Sequence, residues 1–367
     1  MFDFSWTDHS SDNVLYCVLI YALFVLFYFK RYVRNGLVQK YKTNKFLLFN
    51  AFFLIITACI DSDWFHYQDM VMNYDFTEGA YNHGEPIYGE IIKLVNKNYL
   101  LFRLIVWGAS LVLTIFTFKR FELNINVAVF FLIAVFLVKF NYARVTLAMA
   151  SCCLGLSYLL KPRKPFLLVN IALAALFFWG AYQFHYSVLA LVLLCIIARY
   201  MPVDKPILAV VLLFLVPYFL KDNLTLVDQL EDEYISSRFE RYLNKSSEEA
   251  NWLGIIDGII GYGVFAVPII FDTLVIVRNR RRIPVSMIKL YRVIISTTIL
   301  AISFSFMGLE SSVFVYRILF MTFIPLTILT VYLFQIRLMS RKWYSYSVLW
   351  GIFAISYKLL VLLWNYG

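Results

Sequence analysis

Residues 254–277, GIIDGIIGYGVFAVPIIFDTLVIV, followed by Arg278 and Arg280 to Arg282, decide the fold. About 20 predominantly apolar residues suffice for a helix to cross the hydrocarbon layer, and Lys and Arg beyond its end mark the cytoplasmic flank. The same grammar recurs along the chain. Apolar spans are predicted at 14–29, 46–60, 99–118, 124–140, 142–160, 165–182, 184–199, 206–220, 254–277, 286–307, 313–335 and 343–364. They are continuous runs, without the ten-residue alternation of a barrel strand. The 367 residues are 62% hydrophobic, with a mean hydropathy of +0.73. The expectation is one all-α polytopic membrane domain over 1–367 with about twelve transmembrane helices, since in lipid only helices and closed barrels satisfy the backbone.

The linkers orient it. Lys30, Arg31, Arg34, Lys40, Lys42 and Lys45 fill the first; Lys119 and Arg120 mark the third, and Lys161, Arg163 and Lys164 the fifth. Arg199 and Lys205 mark the seventh, Arg278 and Arg280 to Arg282 the ninth, and Arg337, Arg341 and Lys342 the eleventh. Every odd linker is basic, which puts all of them in the cytoplasm and both termini outside. Of the 23 acidic residues only Glu122, Asp204 and Asp272 then fall on or near the cytoplasmic side. The net charge of +10 is a membrane-surface feature, not a nucleic-acid footprint. Cys17, Cys59, Cys152, Cys153 and Cys195 lie in apolar spans without CxxC spacing and read as packing residues. The polar, acidic N-terminus and Lys30-Arg31 after the first span do not read as a cleavable signal. Neither an internal repeat nor a low-complexity tract is visible.

Two outer loops hold the remaining polar chemistry. Loop 61–98 mixes Asp61, Asp63, His66, Asp69, Asp75, Glu78, His83, Glu85 and Glu90 with Trp64, Tyr67, Tyr74, Tyr81 and Tyr88. Carboxylates accept from sugar hydroxyls and aromatic faces stack on pyranose C–H faces; the plainer reading is an interfacial aromatic belt with solvated acids. Asp61-Ser62-Asp63 has the D-x-D form of a metal-nucleotide site, but two carboxylates are too few for a metal cage. Asp63 and His66 fall on one face if a helix continues there, as an acid–imidazole pair for general-base work.

Arg144, just inside the span after Asn141, offers a bidentate fork for phosphate, or a structural partner for an acid of loop 61–98. Arg317 stands one turn into a later span, with Glu310 in the preceding outer turn as a possible ion-pair partner. Two arginines at one membrane depth favour a diphosphate. His185, at the turn between the sixth and seventh spans, is predicted level with Arg144 as a base or as a core histidine. In loop 221–253, Arg238 and Arg241 share a helical face fit for phosphate or a sugar acid, or belong to a solvated loop.

Asp61–Tyr67, Glu85-Pro86-Ile87-Tyr88, Arg144 ahead of Leu147-Ala148, Phe184-His185-Tyr186-Ser187, Arg241-Tyr242 and Tyr316-Arg317 occur in an order that resembles the EpsG-like branch of the Wzy-type bacterial polysaccharide polymerases, across roughly 45–335. Where members often carry Arg-Gln after the hairpin, this chain has Arg144-Val145. The resemblance implies a GT-C-like architecture in the bacterial inner membrane and an outward-facing glycosyltransferase site that needs neither metal nor cofactor. Its donor and acceptor would be undecaprenyl-diphosphate-linked oligosaccharides, with a flippase and a chain-length regulator as partners. It assigns Arg144 and Arg317 to the leaving diphosphate, and His185, or Asp63 with His66, to the acceptor hydroxyl. Arg238, Arg241, Glu85, Tyr67 and Glu310 complete the substrate contacts. The rival readings are an O-antigen ligase or related polyprenyl-linked glycosyltransferase, a lipid-linked oligosaccharide flippase and a membrane acyltransferase. A transporter usually shows repeats and broken midplane helices.

Overall fold

The computed structural model describes residues 11–34, 42–57, 63–73, 86–140, 142–161, 166–185, 188, 191–192, 252–306 and 318–366. Those residues are helical, with no strand among them. In chain order the helices are α1 (Ser11–Phe29, continued by a π-helical turn Lys30–Arg34), α2 (Lys45–Thr57), α3 (Asp63–Met72), α4 (Pro86–Leu94), α5 (Tyr99–Arg120) and α6 (Ile125–Phe140). They continue as α7 (Ala143–Leu160), α8 (Leu167–Phe184), α9 (Trp252–Asn279), α10 (Val285–Phe306), α11 (Phe323–Gln335) and α12 (Arg341–Tyr366).

Five described helices are long and apolar enough to cross a membrane: Asn13–Val33, Tyr99–Arg120, Leu167–Phe184, Gly258–Arg282 and Arg341–Trp364. They coincide with five predicted spans. Shorter apolar helices, Lys45–Thr57, Ile125–Phe140, Val145–Leu160 and Phe323–Gln335, stand at four more, and α10 stands at 286–307. Span 206–220 and nearly all of 184–199 lie outside the described residues. The protein is a multi-pass, all-helical membrane protein.

Shortness follows position. In α6, 14 of 16 residues are buried, on every side of the helix, and α11 buries 11 of 13. A helix apolar all round belongs inside a protein or a bilayer; these two are sheathed by other helices. At 1.5 Å per residue α6 is roughly 24 Å long, short of the ~30 Å core, and needs to be no longer because α2, α5, α11 and α12 pack around it. By contrast α8 leaves Leu168, Val169, Leu176 and Trp179 exposed, the face a bilayer covers, and turns Ala174, Phe178 and Ala181 inward.

Close approaches lock the bundle. A Cβ on Gly351 of α12 would meet the Val135 backbone of α6 at 2.5 Å, so only glycine permits this crossing, the small-residue device of membrane interfaces. Beside it α6 breaks at Phe136 (φ −120°, ψ 17°). Two residues earlier the Ala134 carbonyl accepts a 2.8 Å hydrogen bond from the Tyr21 hydroxyl of α1, and a side chain entering the helical ladder is a recognised cause of kinks. Cys17, Cys152 and Cys153 are buried and outside any disulfide, as their apolar surroundings predict.

One end of the bundle collects the basic linkers. The Asn126 side chain accepts from the Asn44 backbone N–H at 2.8 Å and donates to the Lys42 carbonyl at 3.1 Å. Gln335 accepts from the Asn124 N–H at 3.0 Å, and Arg120 donates to the Lys161 carbonyl at 3.1 Å. Lys161 pairs with Glu122 at 2.9 Å, and Arg278 lies over the Trp343 ring at 5.7 Å. Linkers one, three, five, nine and eleven, spaced widely in sequence, are thus brought to one end by direct contact. The seventh, with Arg199 and Lys205, lies outside the described residues.

Segment 61–98, read from composition as a loop, contains two helices. In α4 the buried residues Tyr88 and Ile92, with Val95 in the turn that follows, recur at helical spacing while Glu90 and Lys93 face out and pair at 2.7 Å. In α3, Tyr67, Met70 and Val71 are buried. Each inward stripe covers one helical face.

Candidate functional site

The end opposite the basic linkers is where the predicted site residues of the described chain stand. The hairpin of α7 and α8 sets two of them. Ser151 donates to the Phe177 carbonyl at 2.8 Å, and a Cβ on Gly155 would meet Phe178 at 2.9 Å and the Ala174 carbonyl at 3.1 Å. Two antiparallel helices in that register bring the first turn of α7 level with the last turn of α8. Arg144, the second residue of α7, is thereby level with His185, the C-cap of α8. His185 is half-buried and extended (φ −165°, ψ 113°), and its N–H donates to the Ala181 carbonyl at 2.9 Å. The helix N-terminus at Tyr142 has no side-chain cap.

The chain is helical from Asp63 through His66, so the acid and the imidazole share one helix at a three-residue spacing. Tyr67 is 4% exposed, packed into the apolar core. Glu85, Arg238, Arg241, Glu310 and Arg317 lie outside the described residues. In sequence, Tyr142 stands two positions before Arg144 and Phe320 three after Arg317, and those rings meet edge-on at 5.0 Å.

Three residues at this end went unweighed in the sequence. Arg103 is fully buried one turn into α5. It donates to the Ile55 carbonyl of α2 at 2.9 Å and to the Tyr99 hydroxyl at 3.3 Å, and its guanidinium lies 4.5 Å from the centre of the Trp107 ring. The Trp107 indole N–H in turn donates to the carbonyl of Phe140, the last residue of α6, at 3.0 Å. Lys139, 5% exposed in the last turn of α6, stands 6.0 Å from the Phe265 ring centre. The carbonyl of Lys139 accepts from the Thr146 hydroxyl at 3.1 Å, tying the ends of α6 and α7 together. A usable signal was present: an arginine inside a predicted span with aromatics four residues to either side, the spacing that aligns a cation with two rings.

Around these residues runs an aromatic layer. Tyr88 of α4 lies 6.3 Å from Phe102 and 6.4 Å from Phe184, the residue before His185. The chemistry assembled here is cationic and aromatic, held by helix ends.

A family model for the EpsG family matches residues 42–366. The chain belongs to the EpsG family. Membership places it among membrane proteins of polysaccharide biosynthesis and agrees with the order of motifs from Asp61 to Arg317. The comparisons with curated proteins and with solved structures found no match. The EpsG match covers α2 through α12, so it takes in both ends of the bundle.

Proposed function

We propose that this EpsG-family protein is a polysaccharide polymerase of the bacterial inner membrane, joining undecaprenyl-diphosphate-linked oligosaccharide units on the extracytoplasmic face. It spans the membrane about twelve times with both termini outside, and its site lies at the end opposite the basic linkers. The observation that carries the reading is the α7–α8 register that sets Arg144 level with His185, within a chain matched by the EpsG model almost throughout.

The acceptor hydroxyl attacks the anomeric carbon of the donor. The glycosidic C–O bond breaks with its electron pair passing to the diphosphate, and the hydroxyl proton passes to a base. Arg144 and Arg317 hold the leaving diphosphate, where charge grows in the transition state and fixed cations act most strongly. His185, or Asp63 with His66, takes the proton. Glu85 and Tyr67 contribute to the sugar side, Arg238 and Arg241 to the anionic groups, and Glu310 orients Arg317. A flippase supplies the substrate and a chain-length regulator limits the product.

Purified protein given a synthetic undecaprenyl-diphosphate-linked repeat unit is expected to yield a polymer ladder. One-step transfer to a different acceptor would make it a ligase, and lipid translocation without product a flippase. Arg144→Ala and Arg317→Ala are each expected to leave an inserted, folded protein with polymer reduced by roughly 100-fold or more, the scale of a lost transition-state charge contact. Full-length polymer from either variant removes the assigned role. Lys in place of either Arg is expected to be a poor substitute.

A further inference from the structure

The contacts of Arg103 and Trp107 join two pieces of chain that the proposed reaction needs at a fixed spacing. On one side is α2, whose last described turn contains the Ile55 carbonyl; in sequence the chain runs from α2 to Asp63 and His66. On the other is the end of α6, whose final carbonyl, Phe140, precedes Arg144 by four positions. The Phe140 carbonyl lies in the last turn of α6, where carbonyls lack intrahelical partners and carry the helix's negative end. Here α5 supplies a donor to each of the two carbonyls from one face. Tyr99, Arg103 and Trp107 follow each other at i, i+4 and i+8, a continuous line along the helix. The guanidinium reaches α2 at 2.9 Å and the indole reaches α6 at 3.0 Å, and the two groups stack at 4.5 Å. Arg103 is 0% and Trp107 1% exposed.

Burying a guanidinium is expensive unless it is hydrogen-bonded and charge-compensated. The Ile55 carbonyl of α2 and the Tyr99 hydroxyl accept from the guanidinium, and the Trp107 ring lies against it. Apolar side chains at 103 and 107 would pack α5 against α2 and α6 more cheaply, but they would take away the donors that fix α5 to the Ile55 and Phe140 carbonyls and leave the angle between the two helices undefined.

We infer that Arg103 and Trp107 form a brace that sets the distance between the segment carrying the acid–imidazole pair Asp63/His66 and the hairpin carrying His185 and the diphosphate arginine Arg144. They are positioning residues. Neither touches substrate in this assignment, which rests on the polymerase reading for its catalytic consequence. A brace of this kind acts on turnover more than on binding. Each half of the site keeps its own ligand contacts, while a displacement of about 1 Å between reacting groups costs up to ~100-fold in rate.

The test uses full-length protein in nanodiscs, with the undecaprenyl-diphosphate-linked repeat unit as probe. Trp107→Phe keeps a ring under the guanidinium and removes the N–H that reaches Phe140. Arg103→Lys keeps the charge and removes the planar fork. Both are expected to lower turnover by roughly 10- to 100-fold while the donor dissociation constant changes by less than about threefold. Unaltered turnover in both variants overturns the brace. So does a parallel loss of turnover, binding and folded fraction, which would mark the pair as packing only. A thermal-unfolding cycle of Arg103→Met, Trp107→Phe and the double variant reports on the brace without any reaction. A double variant little worse than the worse single one is expected, because the two side chains work as one unit; additive losses overturn the proposal. If the cycle couples but the wild-type protein makes no polymer, the polymerase reading fails while the physical link between α2 and α6 stands.

Discussion

Two arginines on the same helix make the same pair of contacts at opposite ends, and the difference in their surroundings separates the two ends of the molecule. Arg120 closes α5 at the basic end; it stacks 3.6 Å from the Tyr158 ring centre and donates to the Lys161 carbonyl. Arg103, near the start of α5, stacks on Trp107 and donates to the Ile55 carbonyl. Arg120 is only half-buried and stands at a helix C-terminus, where the dipole welcomes a cation. Arg103 is fully buried close to a helix N-terminus, where the dipole of its own helix opposes it. What holds Arg103 is the Ile55 carbonyl of α2 together with Tyr99 and Trp107 of its own helix. The basic end therefore spreads its polar contacts over several linkers around a half-buried arginine, whereas the far end concentrates them on one fully buried arginine–tryptophan pair that joins α5 to α2 and α6.

The largest effect is expected from Arg103→Ala. It removes a buried side chain, opens a cavity and leaves the Ile55 carbonyl unpaired, at a cost of about 3 kcal/mol, with polymer synthesis lost. Urea or thermal titration of the reconstituted protein measures the first, and the lipid-linked assay the second. Next comes Arg120→Ala, expected to cost about 1 kcal/mol, since its stacking and hydrogen bond are partly replaced by water. Turnover per folded molecule is expected to stay at the wild-type level, and equal damage from the two substitutions would erase the distinction between the ends. The smallest effect belongs to Glu122. The Lys161 ammonium, by hydrogen bond and by charge, holds its carboxyl below the ordinary range. A depressed acid contributes stability above its unfolded pKa and loses it as pH falls through the folded value. Its side chain is 82% exposed, so Glu122→Gln is expected to cost on the order of a few tenths of a kcal/mol at pH 7, a cost that fades in acid as the carboxyl is protonated. Melting curves at pH 7 and in acid check the sign.

Much of this arrangement is legible in the chain because membranes impose strong rules. The basic clusters at 30–45, 119–120, 161–164, 278–282 and 337–342 reveal one-sidedness directly, and Asn44, Asn126 and Gln335 later prove to be how those linkers are joined. Length and hydropathy mark α1, α5, α8, α9 and α12. They do not reveal that α6 and α11 are enclosed, because an apolar run reads alike whether lipid or protein surrounds it. Helices α3 and α4 were hidden for the opposite reason: their inward stripes are only three residues wide and interrupted by acids, so composition reports a loop. Counting spans sets His185 and Arg144 at one level, and the α7–α8 register is what relates their backbone positions in the fold. Arg103 escaped because a single charge in a long apolar run looks like tolerance; Tyr99 and Trp107 at four-residue spacing were its visible signal, while the Ile55 carbonyl that it reaches carries no signature in the sequence.

The Gly351–Val135 crossing has a consequence for how the protein is made. Helix α6 is sealed on one side by α12, the last of the described helices to be translated. At roughly 5–20 residues per second, α6 is complete on the order of 10–40 s before the Gly351 turn exists to cover it. Throughout that interval its Val135 face borders lipid or an insertion chaperone, and Lys139 in its last turn waits for neighbours that follow. Any bulk added at position 351 would stall the protein at that last closing step, after every other helix has been inserted.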